Sequence, residues 1–422
     1  MSIITLENDL KARGFIAQAS LNAASVLQPG EVVYAGFDPT ADSLHVGNLV
    51  TIMGLARMQR AGMTPIALVG GATGLIGDPS GRSSDRPLLS RDNVQTNAMS
   101  IKEQLRNFID FSGPFAGKMT NNIDWFGTMD LITYLRDIAG KLRANQLLNK
   151  DAVRTRLESE DGIGLNEFLY PTLQGYDFFY LWRAFGCKLQ IGGSDQWGNM
   201  VTGIEIARKL EGAQLDAVTH PLLTTASGAK FGKSAGNAIW LASDKTSVFS
   251  FYQYFLNADD QDVERYLLLL TFLPVSTIQE IVKEHGNAPQ LRKAQNILAD
   301  EVTRTVHGDT QLEQAKSMSR AVFDGNLQSL NALQLQDAFQ SSASIIVPIE
   351  ESVVLEICMA ANIFKSKGEA RRMIENGGLY LNGRRVTSTD AQMTSSWVEG
   401  KVAVLSVGRD RHWLMKRGVC SS

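Results

Sequence analysis

The chain has 422 residues, 44% of them apolar and 20% charged, with a formal net charge of −3. That length exceeds one ordinary core and predicts two or three domains of soluble globular composition. No apolar run nears the ~20 residues of a bilayer span, and the scattered Cys187, Cys358 and Cys420 form neither a disulfide framework nor a zinc site, which fits a reducing compartment.

In chain order, a helix is predicted from Leu6 to Gly14 and a shorter one ending at Pro29-Gly30. Glu7 and Asp9, with no apolar segment around them, argue against a secretory signal. Val32 to Phe37 has the β-branched and aromatic content of a strand, and Asp38-Pro39-Thr40 breaks it. Helical spacing follows from Leu44 to Arg60, closed by Ala61-Gly62. His45 and Asn48 share a face there, and Gly47 between them leaves bare backbone at a helix start, where amides attract anions. Thr40 and His45 are placed to donate to the phosphates of a nucleotide triphosphate. An isolated stretch of this kind is more often a satisfied turn with a surface histidine.

Pro65 to Val69 reads as a buried parallel strand that runs into Gly70 to Pro79, completing a β-α-β unit. Ligands of such sheets sit beyond the carboxyl ends of the strands. The glycine loop has neither the P-loop ending nor the dinucleotide spacing. Arg82 and Arg86, in the polar stretch from Ser80 to Arg91, suit a pyrophosphate clamp or a plain surface loop. Residues 94–160 read as mostly helical, with a break at Asn121 to Trp125. Glu167 to Trp182 is an aromatic helix on which Tyr170, Gln174 and Asp177 share one face; buried, they need partners that a polar ligand would supply.

Lys188 to Ile191 is a further short strand, followed by the loop Gly192 to Gly198. Lys230-Phe231-Gly232-Lys233-Ser234 is a cationic loop flanked by Gly228 and Gly236, suited to phosphates or simply to solvent. Ser247 to about Gly325 is helical, and Asn326 to Glu350 reads as a linker ending near Pro348. Beyond it come a basic helix, Phe364 to Ile374, and a hairpin turning at Asn382-Gly383. From Glu351 onward there are eleven Lys/Arg and seven Asp/Glu, or +4, which leaves −7 on the remainder. A basic tail on an acidic body fits a polyanionic partner, or an ordinary solvated face.

Tyr34 through Asn48, Gly70 through Pro79, Tyr170 through Asp177, Gln190 through Gly198 and Lys230 through Ser234, in this order, resemble the bacterial-type tyrosyl-tRNA synthetases, which are class I aminoacyl-tRNA synthetases. The C-terminal segment resembles the S4 RNA-binding module. The resemblance spans essentially the whole chain. It implies an α/β fold: a Rossmann-like parallel-sheet catalytic domain over 1–235 with a helical insertion at about 95–185, a helical tRNA (anticodon-side) domain over 236–325, a linker over 326–350, and a small α+β S4-like domain over 351–422.

The reaction so implied activates L-tyrosine with ATP and passes the tyrosyl group to tRNA(Tyr). Matching positions imply that Thr40, His45, Lys230 and Lys233, assisted by Arg82 and Arg86, stabilise the departing pyrophosphate. Gly36, Asp38, Gly47, Gly193 and Asp195 would line the adenosine side, with Asn48 and Lys233 also on ATP. Asp78, Tyr170 and Gln174 would hold the substrate ammonium, Tyr34 and Asp177 its phenol hydroxyl, and Asn122 and Gln196 would complete the pocket. Phenylalanine would leave Tyr34 and Asp177 desolvated and unpaired. Asn48 stands where the family's motif has its second histidine, and Arg82 where lysine is frequent. In the tail, Lys365, Lys367, Arg371, Arg372, Arg384 and Arg385 are the implied RNA contacts. The resemblance further implies ATP as substrate with Mg2+ as its counter-ion, no protein-bound metal, a homodimer, no membrane and a cytoplasmic location. A tryptophanyl-type enzyme and a non-catalytic RNA-binding paralogue are the alternatives.

Overall fold

The computed structural model describes residues 5–80, 89–148, 150–158, 162–226, 228, 231–234, 237–348, 353–394, 396–408 and 411–418. The chain divides into two compact units, residues 1–246 with 255–306 and residues 247–254 with 307–422.

The first unit is built on β1 (Gln18–Ala19), β2 (Val32–Phe37), β3 (Thr64–Val69), β4 (Lys118–Asn121), β5 (Leu189–Gly193) and β6 (Asp216–His220). They lie in the order β1-β6-β5-β2-β3-β4, with β1 antiparallel to β6 and every other pairing parallel. Both faces of the sheet are covered, so Val33 to Ala35 and Pro65 to Val69 are buried as continuous runs. Strand order reverses between β2 and β5, and there an open parallel sheet leaves a crevice at its carboxyl edge.

The helix Val46–Arg60 links β2 to β3. It begins later than Leu44, because His45 is extended and caps it. Its far end is held by Arg57, whose guanidinium donates to the carbonyls of Leu269 (2.9 Å), Leu268 (3.0 Å) and Thr271. Arg13 adds donations to Leu268 (3.1 Å) and Leu273 (2.8 Å). Both arginines thereby satisfy carbonyls at and just past the end of the helix Asp260–Leu270 that no intrahelical donor reaches. Burial pulls Arg57 down to about 9, which still leaves it charged at neutral pH.

The helix Leu165–Phe185 lays Phe178, Phe179 and Leu181 against Tyr34, Ile66 and Leu68. The stretch 94–160 is mostly helical, as expected, with Lys118–Asn121 adding β4 at the sheet edge. One expectation is corrected here. The strand expected at Lys188 to Ile191 continues through Gly193, pairing with His220. A two-stranded ribbon, β7 (Lys233–Ser234) and β8 (Asn237–Ala238), also lies in this unit.

In the second unit, β9 (Ala343–Val347), β10 (Leu379–Leu381), β11 (Arg384–Arg385), β12 (Val402–Val407) and β13 (Arg411–Arg417) form a sheet ordered β11-β10-β12-β13-β9. The hairpin expected at Asn382-Gly383 is present, both residues having positive φ (47° and 79°). The stretch 326–350, expected as a linker, instead contains the helix Ala332–Ala338 and β9, which pairs parallel to β13 from Ala343 to Val347. Its Leu335 and Phe339 pack with Met318, Val402, Val404 and Leu414 in one cluster. Glutamine and serine set the composition of this stretch, while its sparse apolar residues do the packing.

Candidate active site

The carboxyl ends of β2, β3, β4 and β5 bring four segments to the crevice, and a connected set of hydrogen bonds joins them. Asp38, just after β2, accepts from Thr73 Oγ1 (2.8 Å) and from the Tyr170 hydroxyl (2.8 Å). Thr73 Oγ1 accepts from Asn122 Nδ2 (3.0 Å), which also donates to Asp177 Oδ2 (3.1 Å). Asp177 Oδ1 accepts from the Trp125 indole (2.9 Å). Gly70 allows this closeness, because a Cβ there would lie 2.0 Å from Asp38 Oδ1.

A second set is centred on Asn199. Its Nδ2 donates to Gln174 Oε1 (2.9 Å), Gln196 Oε1 (3.2 Å) and Ser80 Oγ (3.3 Å). Gln196 Nε2 donates to Asp78 Oδ2 (2.7 Å), whose other oxygen accepts from the Ser80 amide (2.9 Å). Tyr170, Gln174 and Asp177 share a helix face, and each reaches a different partner across the crevice.

The deep end is electrostatically unusual. Tyr34 and Asp177 are buried. Burial pushes the Asp177 carboxyl well above the usual range, opposed by the bonds from Asn122 and Trp125. Burial, and then the proximity of Asp177, raise Tyr34. The Tyr34 hydroxyl has no hydrogen-bond partner among the described residues. Gln190, beside Tyr34 in the β2–β5 register, likewise leaves its Oε1 without one. Nearer the surface, burial and then Asp78 raise Asp195.

At the phosphate side, His45 Nδ1 accepts the Gly47 amide (3.0 Å), and Asn48 Oδ1 accepts the His45 amide (3.1 Å), a reciprocal cap on the helix. With Nδ1 accepting, a neutral ring carries its hydrogen on Nε2. Gly47 is bare for a reason different from ligand approach: a Cβ there would lie 2.7 Å from the His45 ring itself. Gly36, Thr40 and Gly47 are exposed, and no atom lies within 4 Å of a Cβ built on Gly36. Gly193 closes β5, and Asp195 follows it on the opposite side of the β2–β5 switch.

Lys233 enters β7 by its backbone, while Arg82, Arg86 and Lys230 lie outside the described residues. Lys365, Lys367, Arg371, Arg372, Arg384 and Arg385 belong to the second unit and are all exposed, Lys367 pairing with Glu356 at 2.8 Å. Trp125, Thr73, Ser80, Gln190 and Asn199 were not singled out from sequence. Trp125 ends the predicted break and Asn199 adjoins the Gly192 to Gly198 loop, so position alone pointed near them. Among the described residues no group of three His, Cys, Asp or Glu is arranged to hold a metal.

Known proteins resemble this chain in sequence and fold. The family model described as tRNA synthetases class I (W and Y) matches residues 30–324. The model described as the tyrosine–tRNA ligase SYY-like C-terminal domain matches residues 334–415. The tyrosine–tRNA ligase of Roseiflexus castenholzii is 43% identical over 426 aligned residues, covering 98% of this chain and 99% of that one. That of Bacillus caldotenax is 45% identical over 387, covering 91% and 92%. Among solved structures, a C-terminally truncated mitochondrial tyrosyl-tRNA synthetase of Aspergillus nidulans superposes with a TM-score of 0.69 at 32% identity, covering 76% of this chain and 94% of that one.

Proposed function

This chain belongs to the tyrosine–tRNA ligases of class I, and from that premise we propose how its residues divide the reaction. The enzyme joins L-tyrosine to ATP, giving tyrosyl-adenylate and pyrophosphate, and then transfers the tyrosyl group to the 3′ end of tRNA(Tyr). The observation that carries the choice of amino acid is the buried Tyr34 hydroxyl near Asp177, without a hydrogen-bond partner among the described residues. A substrate phenol accepts from Tyr34 and donates to Asp177, satisfying both. An indole can donate to Asp177 but cannot accept from Tyr34, and a phenyl ring does neither.

The tyrosine carboxylate attacks the α-phosphorus as the bond to pyrophosphate breaks. It is already ionised, so no general base is required; catalysis is positioning and charge stabilisation. His45, through Nε2–H, and Thr40 meet the departing phosphates from the start of the helix Val46–Arg60. Lys230, Lys233, Arg82 and Arg86 are assigned to the same charge, and Mg2+ enters with ATP. Asp78, Tyr170 and Gln174 take the substrate ammonium, with Gln196 holding Asp78, and Asn122, bonded to Asp177, completing the pocket. Gly36, Asp38, Gly47, Gly193 and Asp195 face adenosine, although Asp38 is bonded to Tyr170 and so also stiffens the tyrosine side. Asn48 commits its carbonyl oxygen to the cap, leaving its amide nitrogen as the donor for ATP.

The exposed cations of the second unit are assigned to tRNA phosphates. A homodimer is supported by Leu131, Ile132, Leu135, Leu148, Leu157 and Leu165, large apolar side chains exposed within one stretch of chain. No helix among the described residues is long and apolar enough to cross a membrane. A cytoplasmic location suits the buried thiols of Cys187 and Cys358.

ATP–pyrophosphate exchange measured with each amino acid in turn tests the assignment. Tyrosine alone should support exchange; tryptophan in its place would move the specificity, and no exchange at all would remove the catalytic reading.

A further inference from the structure

We propose that Asp262 is a positioning residue for the activation step, fixing the loop that leads to Lys233; this rests on the function assigned to that loop above. Asp262 lies on the first turn of the helix Asp260–Leu270 and is 4% exposed. A carboxylate at a helix start ordinarily serves its own helix dipole and faces water. This one instead accepts the amide of Ala226 at 2.8 Å, 36 residues away in the chain.

The next turn of the helix completes the grip. Arg265, three residues on, donates to the Thr224 carbonyl and stands 3.4 Å from Asp262 Oδ1. One helix face thus offers an acceptor to the loop's amide and a donor to its carbonyl, two residues apart. Tyr266, four residues from Asp262, packs its ring 4.7 Å from that of Phe231, with Phe255 6.3 Å away on the same ring. The loop is therefore held at Thr224 and Ala226 and again at Phe231.

From Phe231 the restraint passes directly to the phosphate side. Gly232 accepts the Ile239 amide (2.8 Å), and Ile239 accepts the Val46 amide (2.9 Å) at the start of the helix that His45 caps. Gly232 has φ +84°, and a Cβ on it would lie 2.5 Å from Val46 Cγ2. The helix Asp260–Leu270 is tied by Arg57 to the far end of that same helix. Loss of the buried Asp262 carboxylate removes the acceptor that holds the Ala226 amide and frees the approach to Lys233, while the Tyr34–Asp177 end is untouched.

The test uses the full chain and three variants, Asp262→Ala, Asp262→Asn and Arg265→Ala, with the exposed Glu264→Ala as control. Tyrosine binding is followed by intrinsic fluorescence, activation by pyrophosphate exchange with kcat and KM for ATP separated, and folding by thermal melting. Asp262→Ala should lower exchange roughly 10- to 100-fold, the loss of one hydrogen bond to a charged group, with tyrosine affinity unchanged. Asp262→Asn, which keeps an acceptor oxygen, should recover most of that loss, and Arg265→Ala should fall between. Exchange by Asp262→Ala equal to that of Glu264→Ala overturns the proposal, as does a loss shared equally by tyrosine binding. Should Asp262→Ala fail to fold, an Arg265→Ala variant with normal exchange overturns it instead. Absence of tyrosine-dependent exchange in the unaltered protein would defeat the function assigned above, a result separable from any effect at Asp262.

Discussion

Asp177 is a carboxylate in the most costly position the crevice offers. Burial raises its pKa, and two hydrogen bonds only partly oppose that. At pH below the ordinary value of 3.8, folded and unfolded chains both carry the proton and Asp177 imposes no penalty. As pH rises, the unfolded chain ionises first, so native stability falls until the folded carboxyl also titrates. Asp177→Asn should therefore melt higher than the unaltered protein at pH 8, with the gap closing towards pH 4. The same change should reduce tyrosine activation roughly 10- to 100-fold, since a charged acceptor for the phenol is lost. Melting curves across pH, paired with exchange assays, would show both. A stability gap that widened as pH fell would contradict the assigned cause. Which residues would surround Asp177 was only half legible: the helix spacing of Tyr170, Gln174 and Asp177 is local, but Trp125 and Asn122 reach it from the end of another strand.

At the level of elements, the start of the helix Val46–Arg60 shows how one residue can hold two roles. Asn48 reads as a donor to ATP by its place in the motif, and it is also the third residue of a reciprocal cap with His45. Asn48→Ala should cost about 1 kcal/mol of stability through the lost cap. Restoring stability by added salt or osmolyte while KM for ATP stays raised would separate the ligand role from the cap. If KM for ATP never changes, Asn48 serves the helix alone. The elements most visible beforehand were those with strong local signals: β2, β3, the long aromatic helix and the Asn382-Gly383 hairpin. β4 and β9 were not visible. Both are short edge strands, and β9 sits in a polar stretch whose pairing with β13 spans about seventy residues. Local sequence has no means of expressing that partner.

For the whole molecule, the division into units changes what a truncation means. Residues 307–348 pack with the C-terminal sheet rather than leading up to it, through Met318, Leu335 and Phe339 against Val404 and Leu414. A chain ending at Pro348 should keep tyrosine-dependent exchange, because every described residue of the crevice lies in the first unit, and should lose charging of tRNA. It should also self-associate, since β9 loses its partner strand and an apolar face is uncovered. Size-exclusion chromatography beside exchange and charging assays would check the three outcomes together, and a monodisperse product would count against the packing described. The sequence by itself determined the family resemblance and the local signals that carry it: cationic and glycine-bearing segments, an aromatic helix with three polar groups on one face, and a basic tail. Those signals are local, written in side-chain type and in periods of two and 3.6 residues. Only the tertiary structure decided the rest. The strand-order reversal between β2 and β5 places Asp38 and Asp195 on opposite walls, the crevice leaves the Tyr34 hydroxyl without a hydrogen-bond partner among the described residues, and the helix Asp260–Leu270 grips a loop 36 residues behind it. Each of these depends on which distant backbones become neighbours, a quantity that no stretch of chain carries within itself.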